Sequence, residues 1–293
     1  MKKTISITVD VEEWFHSEWF IVEKVINKYY GGKYPTTDVV DCTKSLIELF
    51  NGYNVRATFF VLGETAQRYP KLINLIKNNN HEIACHGYYH NKVYYDLSEF
   101  KKDIKYYKNN IEDNMLGFRS PNFSISKEIL RIIYEEGFSY DSSIVPCRQI
   151  PGWYGNPNSP IQPYDIYQKD YSIKEFPIAV FPILRIPGGG GWFFRNIGFF
   201  WVKNVIKAML NQTGHATIYL HPWEVSNINP VYKEIPFYVF RNTGEKMLNR
   251  IEKIIKYFNN INLISLSDLF IDLSSHRLPQ FPIPCVSDLF IKD

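Results

Sequence analysis

Short runs of apolar and β-branched residues alternate along this chain with segments that carry apolar residues at helical spacing. The β-rich runs occupy residues 5–10, 57–63, 81–86, 115–120, 138–143, 173–178, 216–221 and 262–267. The helical segments include DCTKSLIELFNGY, SEFKKDIKYYKNNI, SKEILRIIYEEGF, FFWVKNVIKAMLNQ and TGEKMLNRIEKIIKYF. Strands that alternate with helices form parallel βαβ units. The pattern therefore predicts an α/β fold, a (β/α) barrel or a close relative of it.

Five ionisable residues stand at or just after the ends of these runs: Asp10, His86, Arg119, Asp141 and His221. In a parallel barrel, the carboxyl ends of the strands share one face, and that face carries the active site. One polar residue at a strand end means little, but the repetition on five strands indicates a common site. We therefore expect these side chains to converge.

The length of 293 residues, of which 45% are hydrophobic, suits a single domain over residues 1–293. Two segments depart from the alternation. Residues 146–172 are rich in Pro and Gly and predict a surface insertion. The Pro-rich tail 277–293 predicts a strap over the barrel or a subunit contact in a homo-oligomer.

Composition argues against several classes of protein. A net charge of +3, without a basic block, argues against nucleic-acid binding. No run approaches the roughly 18 apolar residues of a membrane span, and the apolar stretch after the initial MKK is too short for a secretory signal. We therefore expect a cytoplasmic protein without a membrane span. Four cysteines without CxxC spacing predict free buried thiols: Cys42, Cys85, Cys147 and Cys285.

The stretch HGYYH (86–90) places two imidazoles four residues apart. On a helix, both would lie on one face and could bind one metal ion, although surface or capping histidines share this spacing. The stretch TVDVEEWFH (8–16) offers a third ligand among Asp10, Glu12 and Glu13. Crowded carboxylates are costly unless a cation or a shifted pKa offsets their repulsion, and a solvated acidic loop is the alternative.

The N-terminal acids, HGYYH (86–90), FRSPNF (118–123) and YLHPWE (219–224) occur in this order, and the set resembles the polysaccharide deacetylase family. This family is carbohydrate esterase family 4, with the NodB homology domain, and the resemblance runs from about residue 4 to 270. It implies a distorted (β/α)7–8 barrel with one divalent metal ion that removes N-acetyl groups from amino sugars. Val11 separates the two acids, which most members place side by side, so the sequence resembles a variant branch.

The resemblance implies that Asp10 is the general base and that Glu12 is a metal ligand, with Glu13 the weaker candidate. It assigns the two remaining ligands to His86 and His90, which leaves positions open for water and substrate. Zinc is the expected ion, and iron, cobalt and manganese tolerate the same donors.

The same resemblance gives roles to residues around the base. Arg119 orients Asp10 and keeps it ionised. Pro121, Asn122 and Phe123 shape a groove wall, where a backbone N–H could stabilise an oxyanion.

His221 corresponds to the general acid that protonates the leaving amine. The family holds this histidine with an acidic partner, for which Asp141 is the first choice and Glu175 the second. Trp223 and Glu224 are expected to line the sugar site.

The run GGGG (188–191) lacks the spacing of phosphate-binding loops. Either these are ordinary loop glycines, or Gly190 and Gly191 let the backbone approach the sugar. We expect Trp192 to stack on the sugar and Arg195 to bind an anionic group. His16 is either a site residue or a rim residue.

The resemblance implies a metal-dependent hydrolase that acts on an N-acetylated sugar or glycan in the synthesis of a surface polysaccharide. The substrate would be a free, nucleotide-linked or lipid-linked sugar or an oligosaccharide. The alternatives are an amidohydrolase of small cyclic amides or ureides on the same fold and a catalytically inactive carbohydrate-binding relative. A narrow capped pocket would favour cyclic amides, and an open groove lined by Trp14, Trp192 and Trp223 would favour sugars.

Overall fold

A computed structural model describes residues 2–16, 22–90, 96–151, 153–168, 170–227 and 232–282. The strands are β1 (Thr4–Val11), β2 (Thr58–Val61), β3 (Glu82–Cys85), β4 (Gly117–Phe118), β5 (Tyr140–Asp141), β6 (Tyr164–Gln168), β7 (Tyr171–Glu175), β8 (Val180–Phe181), β9 (Ile186–Pro187), β10 (His215–Leu220), β11 (Asn262–Leu263) and β12 (Gln280–Phe281). The α-helices are α1 (Val22–Tyr30), α2 (Val39–Gly52), α3 (Gly63–Arg68), α4 (Lys71–Lys77), α5 (Leu97–Asn110), α6 (Lys127–Glu135), α7 (Gly191–Asn196), α8 (Phe199–Gln212), α9 (Glu245–Tyr257) and α10 (Leu266–Ser274). Short 3-10 helices cover Trp14–His16, Pro121–Phe123 and Pro222–Val225.

One large sheet organises the molecule, and its strand order is β10-β1-β2-β3-β4-β5-β7-β6-β12, with β11 beside β1. The pairs from β10 to β7 are parallel, and only the β6–β7 pair in this sheet is antiparallel among the described residues. Each of the eight predicted β-rich runs overlaps a strand of this sheet. The predicted α/β fold is therefore confirmed.

The sheet closes into a distorted barrel between β7 and β10, where single bridges replace a continuous ladder. Ile178 pairs with Thr217, and Gly190 pairs with Tyr219. The amide of Ala179 also donates to the carbonyl oxygen of Thr217 at 2.8 Å. The short β8–β9 hairpin lies in the chain between these bridges. This irregular closure is consistent with the predicted distorted barrel.

The residues of β1 alternate between two environments because successive side chains of a strand point to opposite faces. Ile5, Ile7 and Val9 pack in the main core, together with apolar residues of α2, α8 and α9. Thr8 and Asp10 face inward, where both bond to the guanidinium of Arg119. The pattern explains why a strand that is buried along its whole length still carries polar residues.

A second apolar cluster fills the inside of the barrel. Its members include Phe60 of β2, Ala84 of β3 and Phe176 just after β7, and leucines of α10 pack against them. The guanidinium of Arg119 lies 4.1 Å from the ring centroid of Phe60. Phe60 therefore separates the apolar interior from the polar groups at the strand ends.

Glu82 ties four elements together inside the barrel. Its carboxylate accepts hydrogen bonds from Thr58 of β2 at 2.7 Å, Tyr140 of β5 at 2.6 Å and the amide of Ser267 in α10 at 2.8 Å. Burial raises the pKa of Glu82, and these hydrogen bonds oppose that rise. Thr58 and Ser267 share one carboxylate oxygen and Tyr140 alone bonds to the other, so both buried oxygens have partners.

The structure corrects part of the prediction for the two segments that depart from the alternation, residues 146–172 and 277–293. Residues 164–168 and 171–175 form the β6–β7 hairpin, so the predicted insertion 146–172 ends in the sheet and not on the surface. In the tail, β12 pairs with β6 as a strap, and residues 283–293, with Cys285, lie outside the described residues. The other three cysteines are free and buried, as predicted. None of the described helices combines the length and apolarity that a membrane crossing requires.

We expect Tyr140→Phe to lower the free energy of unfolding by about 1–3 kcal/mol, because the buried carboxylate of Glu82 loses a donor. Urea unfolding followed by circular dichroism measures the change. Tyr134→Phe is the matched control, since the side chain of Tyr134 is exposed on α6, and it should cost less than about 0.5 kcal/mol. Equal losses in the two variants would contradict a stabilising role for the Glu82–Tyr140 bond.

Candidate metal and catalytic site

Four of the five ionisable residues at the predicted strand ends meet at the carboxyl end of the sheet. Asp10, His86 and His221 line one cavity there, and Arg119 contacts Asp10 from the barrel interior. The fifth, Asp141, does not belong to the cavity lining. Convergence of the strand ends thus holds for four positions.

Glu12, His86 and His90 form a cluster of potential metal ligands, and all three side chains are buried. One donor atom from each lies within 4.8 Å of the others. The Oε2 atom of Glu12 is 2.8 Å from Nε2 of His90 and 3.6 Å from Nε2 of His86. Two imidazoles and one carboxylate are donors that suit zinc and related divalent ions, so the residues present fit such an ion.

The two histidines are brought together by a turn and not by a helix. Residues 86–90 have no helical assignment, and Gly87 has a φ of +78°, a conformation that favours glycine. The ring centroids of His86 and His90 are 5.9 Å apart. The expected helical HxxxH geometry is therefore wrong, although the turn achieves the same convergence.

A backbone contact orients the ring of His86. Its Nδ1 lies 2.9 Å from the carbonyl oxygen of Arg119, which can only accept a hydrogen bond. The proton is therefore on Nδ1, and Nε2 presents its lone pair toward Glu12. Such outer contacts fix the tautomer of metal-binding histidines.

Glu13 points away from the cluster. Its carboxylate accepts hydrogen bonds from Thr37 at 2.8 Å and Tyr69 at 3.1 Å, and Arg68 lies 3.4 Å from it. These contacts leave Glu12 as the acid of the first motif that faces the histidines.

His16 lies behind His90. Their rings are nearly parallel with centroids 6.0 Å apart, and Nε2 of His16 is 3.4 Å from Glu64. Burial lowers the pKa of His16 to about 3. The structure thus places a neutral His16 beside a cluster residue and outside the cavity lining.

Asp10 is held by the fully buried Arg119. The guanidinium donates to Asp10 at 2.6 Å and to Thr8 at 2.7 Å, and it also donates to the carbonyl oxygen and the hydroxyl of Ser142, each at 2.9 Å. Four bonds fix the plane of the guanidinium and, through it, one oxygen of Asp10. The other oxygen of the carboxylate is not engaged by this ion pair.

His221 faces two carboxylates. Its Nε2 is 3.5 Å from Glu12, and its Nδ1 is 3.3 Å from Glu224. Burial alone would lower the pKa of His221, but the negative charges of Glu12, Glu224 and Asp10 outweigh it and raise the pKa to about 9. The ring also stacks on Trp223, with centroids 5.6 Å apart.

The predicted acidic partners of His221 require a correction. Asp141 accepts hydrogen bonds from the amide and hydroxyl of Ser143, and Glu175 accepts one from the amide of Ile144. The two acids are register neighbours on β5 and β7, and burial raises the pKa of both. Neither lines the cavity, and the carboxylate at Nδ1 of His221 belongs to Glu224.

Glu224 and Arg195 form a buried ion pair with 2.8 Å between Oε1 and Nε. Arg195 also donates to the backbone oxygens of Val239 and Arg241. Arg195 lines the cavity, as expected of a site residue, and the anionic group that it binds in the structure is the carboxylate of Glu224. Glu224 lines the cavity, as expected, and also contacts His221.

The glycines of residues 188–191 make room for protein groups. A Cβ on Gly191 would overlap the carboxylate of Glu224, and a Cβ on Gly190 would lie 2.6 Å from the ring of Tyr219. Neither glycine belongs to the cavity lining. The close approach predicted for this loop occurs, but toward Tyr219 and Glu224 and not toward a sugar.

Only two of the three tryptophans expected in a groove line the cavity, namely Trp192 and Trp223. Trp14 is buried in a separate apolar cluster, where it stacks on Tyr232 with centroids 5.4 Å apart. Trp14 follows directly on the acidic motif, but its ring turns into this cluster. The predicted groove wall of three tryptophans is therefore wrong.

The segment FRSPNF supplies two wall residues, Asn122 and Phe123, whereas Pro121 is buried and outside the lining. The amides of Ser120, Phe123 and Ser124 donate within the protein. Because proline has no N–H, the amide of Asn122 is the remaining candidate for an oxyanion donor in residues 120–124.

Three further cavity residues, Trp153, Tyr219 and Val239, were not among the predicted site residues. Tyr219 precedes His221 by two positions, and the two-residue period of a strand placed both on one side. Trp153 belongs to the predicted insertion. This segment has no strand or helix pattern from which the direction of its aromatic side chains could be predicted.

Comparison with known proteins yields two adjoining family matches. Residues 24–140 match the family described as polysaccharide deacetylase, and residues 142–268 match a domain of unknown function (DUF3473). A peptidoglycan deacetylase of Helicobacter pylori is 22% identical over 73% of this chain and 76% of its own length. A peptidoglycan-N-acetylglucosamine deacetylase of Bacillus cereus is 33% identical, but the match spans 22% of this chain and only 24% of that protein.

Solved structures share the fold. A Mycobacterium smegmatis protein assigned to the polysaccharide deacetylases superposes with a TM-score of 0.63 at 18% identity, over 96% of this chain and 93% of that one. An allantoinase superposes with a TM-score of 0.61 at 14% identity, over 93% and 91%. A pseudoenzyme of family CE4 from Bacillus anthracis has a TM-score of 0.52 at 12% identity, over 92% and 65%. At these identities, the superpositions establish the architecture only.

We expect the protein to bind one equivalent of zinc or cobalt. His90→Ala should weaken this binding by more than about 100-fold, because the loss of a residue that only contacts a metal ligand already lowers metal affinity about 10–100-fold. Isothermal titration with the metal-free protein measures the affinity. His276→Ala is the control, since His276 is exposed after α10, and it should bind the metal as the wild type does. Equal affinity in both variants would exclude His90 as a ligand.

Proposed function

We propose that this chain, whose residues 24–140 match the polysaccharide deacetylase family, is a metal-dependent hydrolase that removes an N-acetyl group from an amino sugar. One observation carries the proposal. A cluster of one carboxylate and two imidazoles shares a cavity with an arginine-held carboxylate, Asp10, and a carboxylate-held imidazole, His221. Amide hydrolysis needs these three functions at one carbonyl group.

Glu12, His86 and His90 are the residues that would hold the metal ion. When bound, a divalent ion supplies a Lewis acid that polarises a carbonyl and makes water more acidic. Zinc suits the donor set best, and iron, cobalt and manganese are the other candidates. The orientation of His86 by the Arg119 carbonyl supports this role, since it presents a free lone pair to the cluster.

Asp10 is proposed to take a proton from the attacking water. The oxygen of that water forms a bond to the acetyl carbon, and the proton passes to the carboxylate. Arg119 leaves one oxygen of Asp10 for this task, because its bond engages the other. The amide of Asn122 is the candidate donor to the oxyanion that develops on the acetyl carbonyl oxygen.

His221 is proposed to give a proton to the nitrogen of the leaving amine as the C–N bond breaks, so that acetate and a free amino sugar result. Glu224 bonds to the backbone amide of His221 at 2.9 Å and faces its Nδ1, which directs Nε2 into the cavity. Arg195 in turn holds Glu224. Glu224 and Arg195 are positioning residues in this scheme.

A glycan substrate is supported by the relatives named for peptidoglycan and by the aromatic rings around the cavity. A role in the synthesis of a surface polysaccharide and a cytoplasmic location stay predictions. So does the division of the chain into one domain with an insertion and a tail.

A hydrolase of small cyclic amides or ureides is the second candidate. The observation that favours it is the likeness of the fold to that of an allantoinase, with a TM-score of 0.61. A catalytically inactive relative is disfavoured, because the proposed base, ligands and acid are all present around the cavity.

Acetate release from a panel of N-acetyl sugars, oligosaccharides and nucleotide-linked sugars tests the proposal, with allantoin as the cyclic substrate. We expect metal-dependent acetate release that is lost on chelation and restored with zinc. Asp10→Asn and His86→Ala should each lower kcat by at least about 100-fold, as general acid–base catalysis contributes 10²–10⁴. Ring opening of allantoin without acetate release would favour the second candidate, and neither reaction would favour an inactive relative.

The reassigned partner of His221 gives a separate prediction. Glu224→Gln should lower kcat about 10–100-fold, because His221 loses the charge that holds its ring for proton transfer. Glu234→Gln is the matched control, as Glu234 forms a surface ion pair with Lys28, and it should leave kcat unchanged. Steady-state kinetics with circular dichroism as a check on folding separates the two. A normal kcat in Glu224→Gln would return the partner role to Asp141 or Glu175.

A further inference from the structure

A group of exposed apolar side chains lies where the β8–β9 hairpin, α7 and α8 meet, and we name it the apolar rim. It consists of Ile183, Leu184, Ile197, Phe200 and Phe237. Ile183 is 83% exposed, Phe237 78% and Phe200 74%, the three highest values among the large apolar side chains that the structure describes. One exposed apolar side chain needs no explanation, but a group of the most exposed ones on neighbouring elements indicates a binding surface.

Trp201 joins the hairpin to the first turn of α8. Its ring stacks on Phe181 of β8 with centroids 5.9 Å apart, and its Nε1–H donates to the carbonyl oxygen of Pro187 in β9 at 3.2 Å. Phe200 directly precedes Trp201 on α8, and the hairpin turn 182–185 carries two other residues of the rim. The hairpin is therefore packed against the start of α8.

The hairpin turn is held in place by Arg185. Its guanidinium donates to the carbonyl oxygens of Pro146 at 3.1 Å and Ser159 at 2.8 Å. The carbonyl oxygen of Arg185 accepts a bond from the amide of Arg148 at 2.9 Å. The polar residue of the turn thus bonds to the protein, whereas Ile183 is left to the solvent. The exposed apolar tip has a fixed position.

The other side of the rim adjoins the candidate site. The side-chain amide of Asn196 donates to the carbonyl oxygens of Trp192 and Tyr238, each at 3.2 Å. Trp192 lines the cavity, Ile197 follows Asn196, and Phe237 precedes Tyr238. The rim therefore lies next to a wall of the cavity that holds the proposed metal ligands.

The charge around the rim has one sign. Residues 176–223, which include the hairpin, α7 and α8, contain no Asp or Glu. Phe200, Lys203 and Lys207 stand at i, i+3 and i+7, a spacing that places them on one face of α8. The Nζ atom of Lys203 lies 5.2 Å from the ring centroid of Phe200. This face thus combines an exposed aromatic ring with positive charge.

Helix α9 extends the positive surface. The Nζ atom of Lys203 is also 5.3 Å from the ring centroid of Tyr257, which is exposed near the end of α9. Lys253 precedes Tyr257 by four residues and is exposed as well, so the two lie on one side of the helix. Lysines of two helices therefore accompany the rim.

Phe237 lies outside the segment without acids, three residues after Glu234. The carboxylate of Glu234 is paired, since Nζ of Lys28 lies 2.7 Å from it and the hydroxyl of Tyr29 donates to it at 3.2 Å. The negative charge nearest to Phe237 in the sequence is therefore neutralised within the protein.

We propose that the apolar rim docks on a lipid bilayer that carries anionic headgroups. Proteins bind to the surface of a membrane when Phe, Leu or Ile side chains enter the boundary of the acyl chains while Lys and Arg attract anionic headgroups. The rim provides the apolar side chains, and α8 and α9 provide the lysines. The absence of acids from residues 176–223 matches a negatively charged surface as the partner.

Docking through the rim would bring the cavity close to the bilayer, because Trp192 belongs to the cavity wall. A glycan attached to a lipid would then be within reach of the site. This consequence for the substrate rests on the proposed function, whereas the docking itself does not. Vesicle binding therefore tests the inference separately from the reaction.

The test is sedimentation of the protein with vesicles of phosphatidylcholine alone and with vesicles that contain about one third phosphatidylglycerol. We expect binding to the anionic vesicles that weakens as salt is added, and little binding to the neutral ones. If the protein does not sediment with the anionic vesicles, the inference is overturned and the proposed function is unaffected.

Ile183→Ser combined with Phe200→Ser should weaken vesicle binding at least about tenfold, because two apolar side chains no longer enter the interface. Ile271→Ser is the control, since Ile271 is exposed on α10 and does not belong to the rim, and it should bind as the wild type does. Circular dichroism confirms that the variants are folded. Wild-type affinity in the folded rim variant would show that another surface binds the vesicles.

Lys203→Gln combined with Lys207→Gln should also weaken binding about tenfold or more, as each lysine near an anionic surface contributes to the attraction. Lys44→Gln combined with Lys71→Gln is the matched control, because both lysines are exposed on other helices, α2 and α4. An equal loss in the two pairs would mean that net charge alone attracts the protein, and the rim would lose its assigned role.

A second copy of the chain is the competing occupant of the rim. Sedimentation equilibrium without lipid compares the wild type with the protein that carries Ile183→Ser and Phe200→Ser. We expect the same molecular mass for both. A wild-type dimer that dissociates in the variant would make the rim an interface between copies and overturn the membrane inference.

Discussion

The buried guanidinium of Arg119 is the interaction on which the arrangement of the site depends. It bonds to Asp10 and Thr8 of β1 and to Ser142 just after β5, and it packs on Phe60 of β2. Its own carbonyl oxygen orients His86 after β3. One residue thus connects the carboxyl ends of strands that are far apart in the sequence. A buried charge without such partners would be strongly unfavourable, so these bonds also hold the strand ends in one arrangement.

The buried acids of β5 and β7 support this arrangement from one side. Asp141 holds the amide and hydroxyl of Ser143, whose hydroxyl oxygen accepts a bond from the amide of Ser120. Ser142, the neighbour of Ser143, accepts two bonds from Arg119. Asp141 therefore supports the residues around the proposed base, Asp10, and not the proposed acid, His221. The ordered motifs of the sequence could place it near the site but could not distinguish these two sides.

Much of the fold was predictable, because parallel strands that are buried on both faces appear in the sequence as near-continuous apolar runs. The cluster of Glu12, His86 and His90 followed from ordered motifs, although its geometry comes from a turn at Gly87 and not from a helix. Contacts between distant segments were not predictable. Nothing in the sequence near Gly191 shows that Glu224 fills the space where a side chain would be. Trp14 likewise follows directly on the acidic motif, but its contacts with Tyr232 depend on a distant loop.

Three carboxylates crowd the cavity, and their partners differ in a way that separates their roles. Asp10 and Glu224 are each paired with a buried guanidinium, from Arg119 and Arg195. Glu12 has no guanidinium contact among the described residues and faces imidazole nitrogens only. His86 and His90 face Oε2 of Glu12 and are themselves potential metal ligands, so they do not exclude a cation from this carboxylate. The repulsion among the three acids therefore favours a cation at Glu12, while the two arginines keep the other carboxylates in position beside it.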